Sequence, residues 1–230
     1  MNNGFGLNAF VEAGLHLHLS AESLHLKLSR IKLLLFDWDG VFNNGSKISD
    51  KGSGFSEIDS LGLNLLRYGL WLRNQKMPVA VVLSGAKNDF AIHFAEREHF
   101  NAVYTNYKDK SAALDRLLDN YGISEEHVAF FFDDVLDLGV AARCGIRVFF
   151  GRHHSPALAE FVENENLADI LPAKTGGQNA LREIADLMLC SLEKYPQVLS
   201  DRMSLSTSYL TYWEERQFLS TIVNEFRERL

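Results

Sequence analysis

In Ile31-Lys32-Leu33-Leu34-Leu35-Phe36-Asp37-Trp38-Asp39-Gly40 a short apolar run stops at two aspartates. Working outward from it, Val79–Leu83, Ala102–Tyr104, Val128–Phe132 and Arg147–Phe150 are further strand-length apolar runs. Helix-length stretches lie between them, at about 59–76, 87–99, 109–121, 135–144 and 155–165. Asp59 and Ser124 are candidate helix caps, and Gly122 and Gly145 candidate helix ends. Strands alternating with helices predict an α/β fold, Rossmann-like, with a mostly parallel sheet covered on both faces. Such sheets bind ligands at the carboxyl ends of their strands.

One segment breaks the alternation. Asn43-Asn44-Gly45 and Asp50-Lys51-Gly52 are turn signals, and they predict a small β-hairpin directly after the first strand. No insertion is long enough for a separate lid. Residues 1–30 read as an N-terminal extension, where Leu15, Leu17 and Leu19 alternate with His16 and His18 while Ser20 begins a helix-like pattern. His16, His18 and His25 lack an acidic or cysteine ligand at matching spacing, so they read as solvated or packed rather than metal-bound. Residues 191–230 read as a C-terminal helical extension, with Tyr212, Leu219, Val223, Phe226 and Leu230 on one helical face. The intervening 31–190 is the main domain.

Of the 230 residues 47% are apolar, enough for a sizeable core, and the formal charge of -7 disfavours nucleic acid as a partner. Met1–Phe10 lacks a basic stretch followed by an apolar one, and no apolar run is long enough to span a bilayer. The two cysteines, Cys144 and Cys190, form no recognisable framework and are expected as reduced thiols in a cytoplasmic protein.

Four polar clusters follow four of the strand candidates. Asp37-Trp38-Asp39-Gly40 places two carboxylates at an apolar strand end, a costly arrangement without a cation. Ser84-Gly85 offers a hydroxyl and backbone N–H groups to a phosphate oxygen. Lys110 opens a helix, where it reinforces the positive end of the dipole unless an anion is near. Asp133-Asp134 and Asp137 crowd three carboxylates into one helix start, which suits a hard cation such as Mg²⁺. Each cluster taken singly is ordinary turn or cap chemistry; the ordered set is not.

This order resembles the haloacid dehalogenase (HAD) superfamily of aspartate-nucleophile phosphatases. The resemblance is closer to one branch, the capless phosphatases of 3-deoxy-D-manno-octulosonate 8-phosphate and related nonulosonate 9-phosphates. The resemblance spans about 31–190: Phe36–Val41, the hairpin, Phe55 with Asp59 and Gly62, Ser84-Gly85, Asp109-Lys110, Asp133–Asp137 and the glycine-rich Gly176–Glu183. It implies Mg²⁺ held by the Asp37 and Asp133 carboxylates and the Asp39 carbonyl, with Asp134 either reaching the ion through water or supporting the groups that hold it. It further implies nucleophilic attack by Asp37, acid–base work by Asp39, and phosphate contacts from Ser84, Gly85 and Lys110, with Asp137 supporting the loop. A ring-shaped homotetramer in which neighbouring subunits replace the lid is implied too. The chain departs from the branch at Ser84, where the branch has threonine and a hydroxyl is kept, and in four further places. Ala86 stands where the branch has arginine, Phe132 and Asn179 stand where it has glycine, and Trp38 replaces a smaller residue. Lys87 is one substitute for the arginine's charge, and Arg182 is a candidate contact for a substrate carboxylate. The rival expectations are a non-catalytic assembly domain of the same fold, and a receiver or dinucleotide-binding domain. A receiver places its acidic pair earlier than its phosphoacceptor, and a dinucleotide fold wants a GxGxxG turn where Asp37–Gly40 stands.

Overall fold

Leu33, Leu35 and Phe36 are fully buried and Leu34 nearly so, because side chains on a central strand point alternately to two covered faces. A computed structural model describes residues 6–48 and 52–226. Its strands are β1 (His16–Leu17), β2 (Leu33–Phe36), β3 (Val79–Leu83), β4 (Ala102–Thr105), β5 (Val128–Phe132), β6 (Ile146–Phe149), β7 (Ile170–Leu171) and β8 (Ile222–Glu225). They form one sheet in the order β1-β7-β6-β5-β2-β3-β4-β8, parallel throughout except where β1 meets β7. The helices are α1 (Asn8–Glu12), α2 (Ala21–Leu28), α3 (Glu57–Asn74), α4 (Asp89–Arg97), α5 (Lys110–Tyr121), α6 (Leu138–Ala141), α7 (Pro156–Asn164), α8 (Ala180–Ser191), α9 (Tyr195–Ser204) and α10 (Thr207–Gln217).

The alternation divides the core in two. Leu34, Phe36, Ala80, Val82, Ala129 and Phe131 join the layer that includes α3 and α8. Leu33, Leu35, Val81, Leu83, Phe130 and Phe132 join the layer that includes α5 and α7. On the first face α3 and α8 approach closely at Gly62, where a Cβ would meet the Arg182 backbone at 2.9 Å.

Several local expectations are corrected. Ser56, not Asp59, caps α3, its hydroxyl accepting from the Ile58 N–H. Asp59 is fully buried and instead accepts from the Arg182 N–H at the start of α8. Ser124 precedes only a short 3-10 turn and makes no side-chain cap. The expected hairpin falls partly on 49–51, outside the described residues. On either side of that gap the Ile48 N–H donates to the Gly52 carbonyl at 2.9 Å. The 135–144 helix is a 3-10 turn followed by the four-residue α6.

Both extensions contribute strands to the sheet. The single helix expected at the C-terminus is overturned: α10 stops at Gln217, and Val223 lies on β8, hydrogen-bonded along β4. An uncovered β4 edge needs backbone partners, and the β-branched Thr221-Ile222-Val223 run supplies them. Leu230 lies outside the described residues. Among the described residues no helix is long and apolar enough to cross a membrane, and Cys144 and Cys190 are free thiols.

Candidate active site

The carboxyl ends of β2, β3 and β5 and the loop before α5 converge on a cleft of about 620 Å³. Its walls include Asp37, Asp39, Ser84, Gly85, Lys108, Lys110, Asp133, Asp134, Asp137, His153 and His154. Parallel pairing in register sets this out: Phe36 lies opposite both Val82 and Phe131, so the residues that follow each strand emerge together.

Lys110 is buried at the floor, its Nζ donating to Asp37 Oδ1 at 2.7 Å and to Asp137 Oδ1 at 2.6 Å. The dipole penalty of a lysine at a helix start is thus offset by two carboxylates. Burial alone would lower the Lys110 pKa, but the charges of Asp37 and Asp137 outweigh it and hold it above the ordinary value. Carboxylate oxygens of Asp37, Asp133 and Asp137 lie within 4.8 Å of one another. Burial, and then the Asp37 and Asp137 charges, push the Asp133 carboxyl well above the usual range. Asp137 is raised by burial and by Asp37, against the pull of Lys110. Three buried carboxylates share one ammonium, so this donor set fits a hard divalent cation. Both Asp137 oxygens already accept bonds, one from Lys110 and one from the Asp134 N–H at 3.4 Å. Asp134 is exposed and caps the turn, accepting from the Val135 N–H at 2.6 Å.

Asp39 faces the cleft from the β2 turn. Ser53 Oγ donates to its Oδ1 at 2.7 Å, and Lys47 pairs with its Oδ2. Trp38 turns the other way, into the core, stacked on Phe42. Its Nε1 donates to the Ser53 carbonyl at 3.0 Å, which ties the insertion to the Asp-x-Asp turn and brings Ser53 to Asp39. The large residue between the two aspartates is therefore a strut. Phe132 is likewise buried, stacked on Phe130.

Ser84 is buried, its hydroxyl donating to the Ala86 carbonyl at 2.9 Å. Gly176 forms another wall; a Cβ there would run into the Gly40 and Asn43 carbonyls, so glycine is required. Two expected residues stand apart. Lys87 is exposed and does not line the cleft. Arg182 lies on α8, its Nε bonded to Asp186 at 2.9 Å, and does not line the cleft either. Sequence reasoning missed Lys47, Ser53, Lys108, His153 and His154. His154 Nε2 lies 3.5 Å from Asp133 Oδ2.

The doubly wound sheet, the acidic first turn and the lysine beneath it are similar to those of phosphatases of the HAD superfamily. Among such enzymes the chain resembles the 3-deoxy-D-manno-octulosonate 8-phosphate phosphatases. That enzyme of Escherichia coli K12 is 26% identical over 171 residues, covering 73% of this chain and 84% of the relative. A crystal structure of a probable YrbI family phosphatase from Pseudomonas syringae superposes with a TM-score of 0.65 at 26% identity, covering 79% of this chain and 98% of that one. The 3-deoxy-D-manno-octulosonate 8-phosphate phosphatase of Moraxella catarrhalis, solved with magnesium, phosphate and its sugar acid, shares the fold. Its TM-score is 0.65 at 23% identity, over 78% of this chain and 97% of that one. No family model matches the chain.

Proposed function

We propose that the chain is a Mg²⁺-dependent phosphomonoesterase acting through Asp37 on a phosphorylated sugar acid of the 3-deoxy-octulosonate 8-phosphate or nonulosonate 9-phosphate type. The observation that carries this reading is the buried Asp37–Lys110 contact beside Asp133 at the sheet's carboxyl edge. A non-catalytic assembly domain has no use for three desolvated carboxylates around one lysine, and their burial is costly.

Asp37 and Asp133, with the Asp39 carbonyl, would hold Mg²⁺, and Asp134 would reach it through water. When bound, the ion offsets the repulsion between an anionic nucleophile and an anionic ester. The Asp37 carboxylate attacks phosphorus in line, the bond to the ester oxygen breaks, and an aspartyl phosphate forms. Asp39 gives its proton to the leaving alkoxide and then takes one from the water that hydrolyses the acyl phosphate. Ser53 and Lys47 aim Asp39. Ser84, the Gly85 N–H and Lys110 hold the transferring oxygens. Asp137 positions Lys110.

The cleft is open, and Ile48 on the insertion is 69% exposed. That supports a homotetramer in which insertions pack together and neighbours close the site. A cytoplasmic location belongs to the same proposal. The test is phosphate release from a panel of phosphorylated sugars and sugar acids, with and without Mg²⁺, for the wild type and Asp37→Asn. Metal-dependent release that the variant lacks is expected; no release from any ester by a folded wild type would overturn the reading.

A further inference from the structure

The rim of the cleft carries a cation that the mechanism leaves unused. Lys108 is exposed, lines the cleft, and donates from Nζ to the Gly85 carbonyl at 2.7 Å. The other lysines here are committed: Lys110 to Asp37 and Asp137, Lys47 to Asp39. Among the described residues that line the cleft, Lys108 is the one lysine paired with no carboxylate. A single carbonyl occupies one of its three N–H donors and leaves two.

Its place relative to the phosphate turn is fixed by the backbone. The Ser84 N–H donates to the Tyr104 carbonyl at 2.8 Å, and the Tyr107 N–H donates back to the Ser84 carbonyl at 3.2 Å. Lys108 therefore overhangs Ser84-Gly85, the turn after which Ala86 leaves no charge. Lys110 and Ser84 occupy the buried floor, so a cation at the rim faces the part of a substrate that projects from the cleft.

We infer that Lys108 is the specificity-determining residue that takes the carboxylate of the substrate's organic portion. The inference rests on the phosphomonoesterase reading above.

The experiment measures kcat and KM of the full chain with saturating Mg²⁺ on three esters. Two carry a carboxylate, 6-phosphogluconate and 3-deoxy-octulosonate 8-phosphate; the third, glucose 6-phosphate, does not. For Lys108→Met the ratio of kcat/KM between acidic and neutral esters falls about tenfold, with KM carrying the change. Lys108→Arg keeps that ratio. An equal loss on all three esters would put Lys108 on the phosphate and overturn the inference. So would an unchanged ratio, or a ratio that falls instead in Lys87→Met. A wild type that releases phosphate from none of these, nor from p-nitrophenyl phosphate, overturns the underlying function itself, a distinct result.

Discussion

Nζ of Lys110 lies 2.7 Å from Oδ1 of Asp37, with both side chains almost fully buried. A pair of this kind is expensive to break from one side, because the remaining charge has no water to turn to. Lys110→Met leaves Asp37 and Asp137 without their ammonium beside Asp133. In chelator-containing buffer, urea unfolding should show a loss of about 3 to 5 kcal/mol. With Mg²⁺ restored, turnover should still fall by about two orders of magnitude, since a donor aimed at the transferring oxygens is gone. Unchanged stability would mean that the carboxylates repel one another less than their crowding implies.

The acidic set predicts a metal-linked stability. An ion bound only by the folded chain, supplied at about 100 times its dissociation constant, adds about 2.7 kcal/mol. Thermal unfolding should therefore move upward with MgCl₂ and return on chelation. Asp133→Asn should abolish most of that shift. Asp37→Asn should abolish turnover while raising metal-free stability, because one of three mutually repelling carboxylates is neutralised while Lys110 keeps Asp137 as its charged partner. A metal-free Asp37→Asn less stable than the wild type would contradict this account of the site.

Asp59 offers a pH test away from the cleft. Burial pushes its carboxyl up to about 6, against the opposing bond from the Arg182 N–H. The folded state thus holds this proton more tightly than the unfolded chain does. The associated stability is complete below the unfolded value of 3.8 and is lost as pH rises through about 6. Asp59→Asn keeps a carbonyl for the Arg182 N–H and does not titrate. Between pH 4 and pH 7 the difference in unfolding free energy should shift by about 2 kcal/mol in favour of the variant. Parallel pH profiles for the two proteins would refute it.

The parts of the site that the sequence announces are those that end apolar strands. Asp37, Ser84 and Asp133 each follow a buried run, and parallel register brings them together whatever the loops do. Lys47, Ser53, Lys108 and His154 come from loops, where no periodicity marks which side chain turns inward. The Trp38 contact with Ser53 is what carries the insertion to Asp39, and no spacing encodes it. The C-terminal misreading has a related cause. Tyr212, Leu219, Val223 and Phe226 fit a helical face, but β8 is an edge strand with Ile222 and Val223 exposed, so it has no burial alternation to display. The open edge of β4 decides the matter, and that edge is a tertiary fact.

The β8 strand also reaches the active-site loop. The Phe226 N–H donates to the Thr105 carbonyl at 3.0 Å, its own carbonyl accepts from Asn106 Nδ2 at 3.0 Å, and its ring lies 5.4 Å from that of Tyr107. Asn106 itself holds a left-handed φ of 65°, a conformation that needs such support. Lys108 and Lys110 follow directly, so loosening this corner should misplace the cleft's cations before it unfolds the sheet. An aromatic pair contributes about 1 kcal/mol. Phe226→Ala should accordingly cost about fivefold in kcat/KM with little change in the unfolding midpoint, while Phe226→Tyr should restore most of the rate. Ending the chain at Ser220 is the harsher variant: it bares the β4 backbone, and light scattering should then report association through that edge. If Phe226→Ala turned over at the wild-type rate and KM, the C-terminal strand would be closing the sheet without bracing the site.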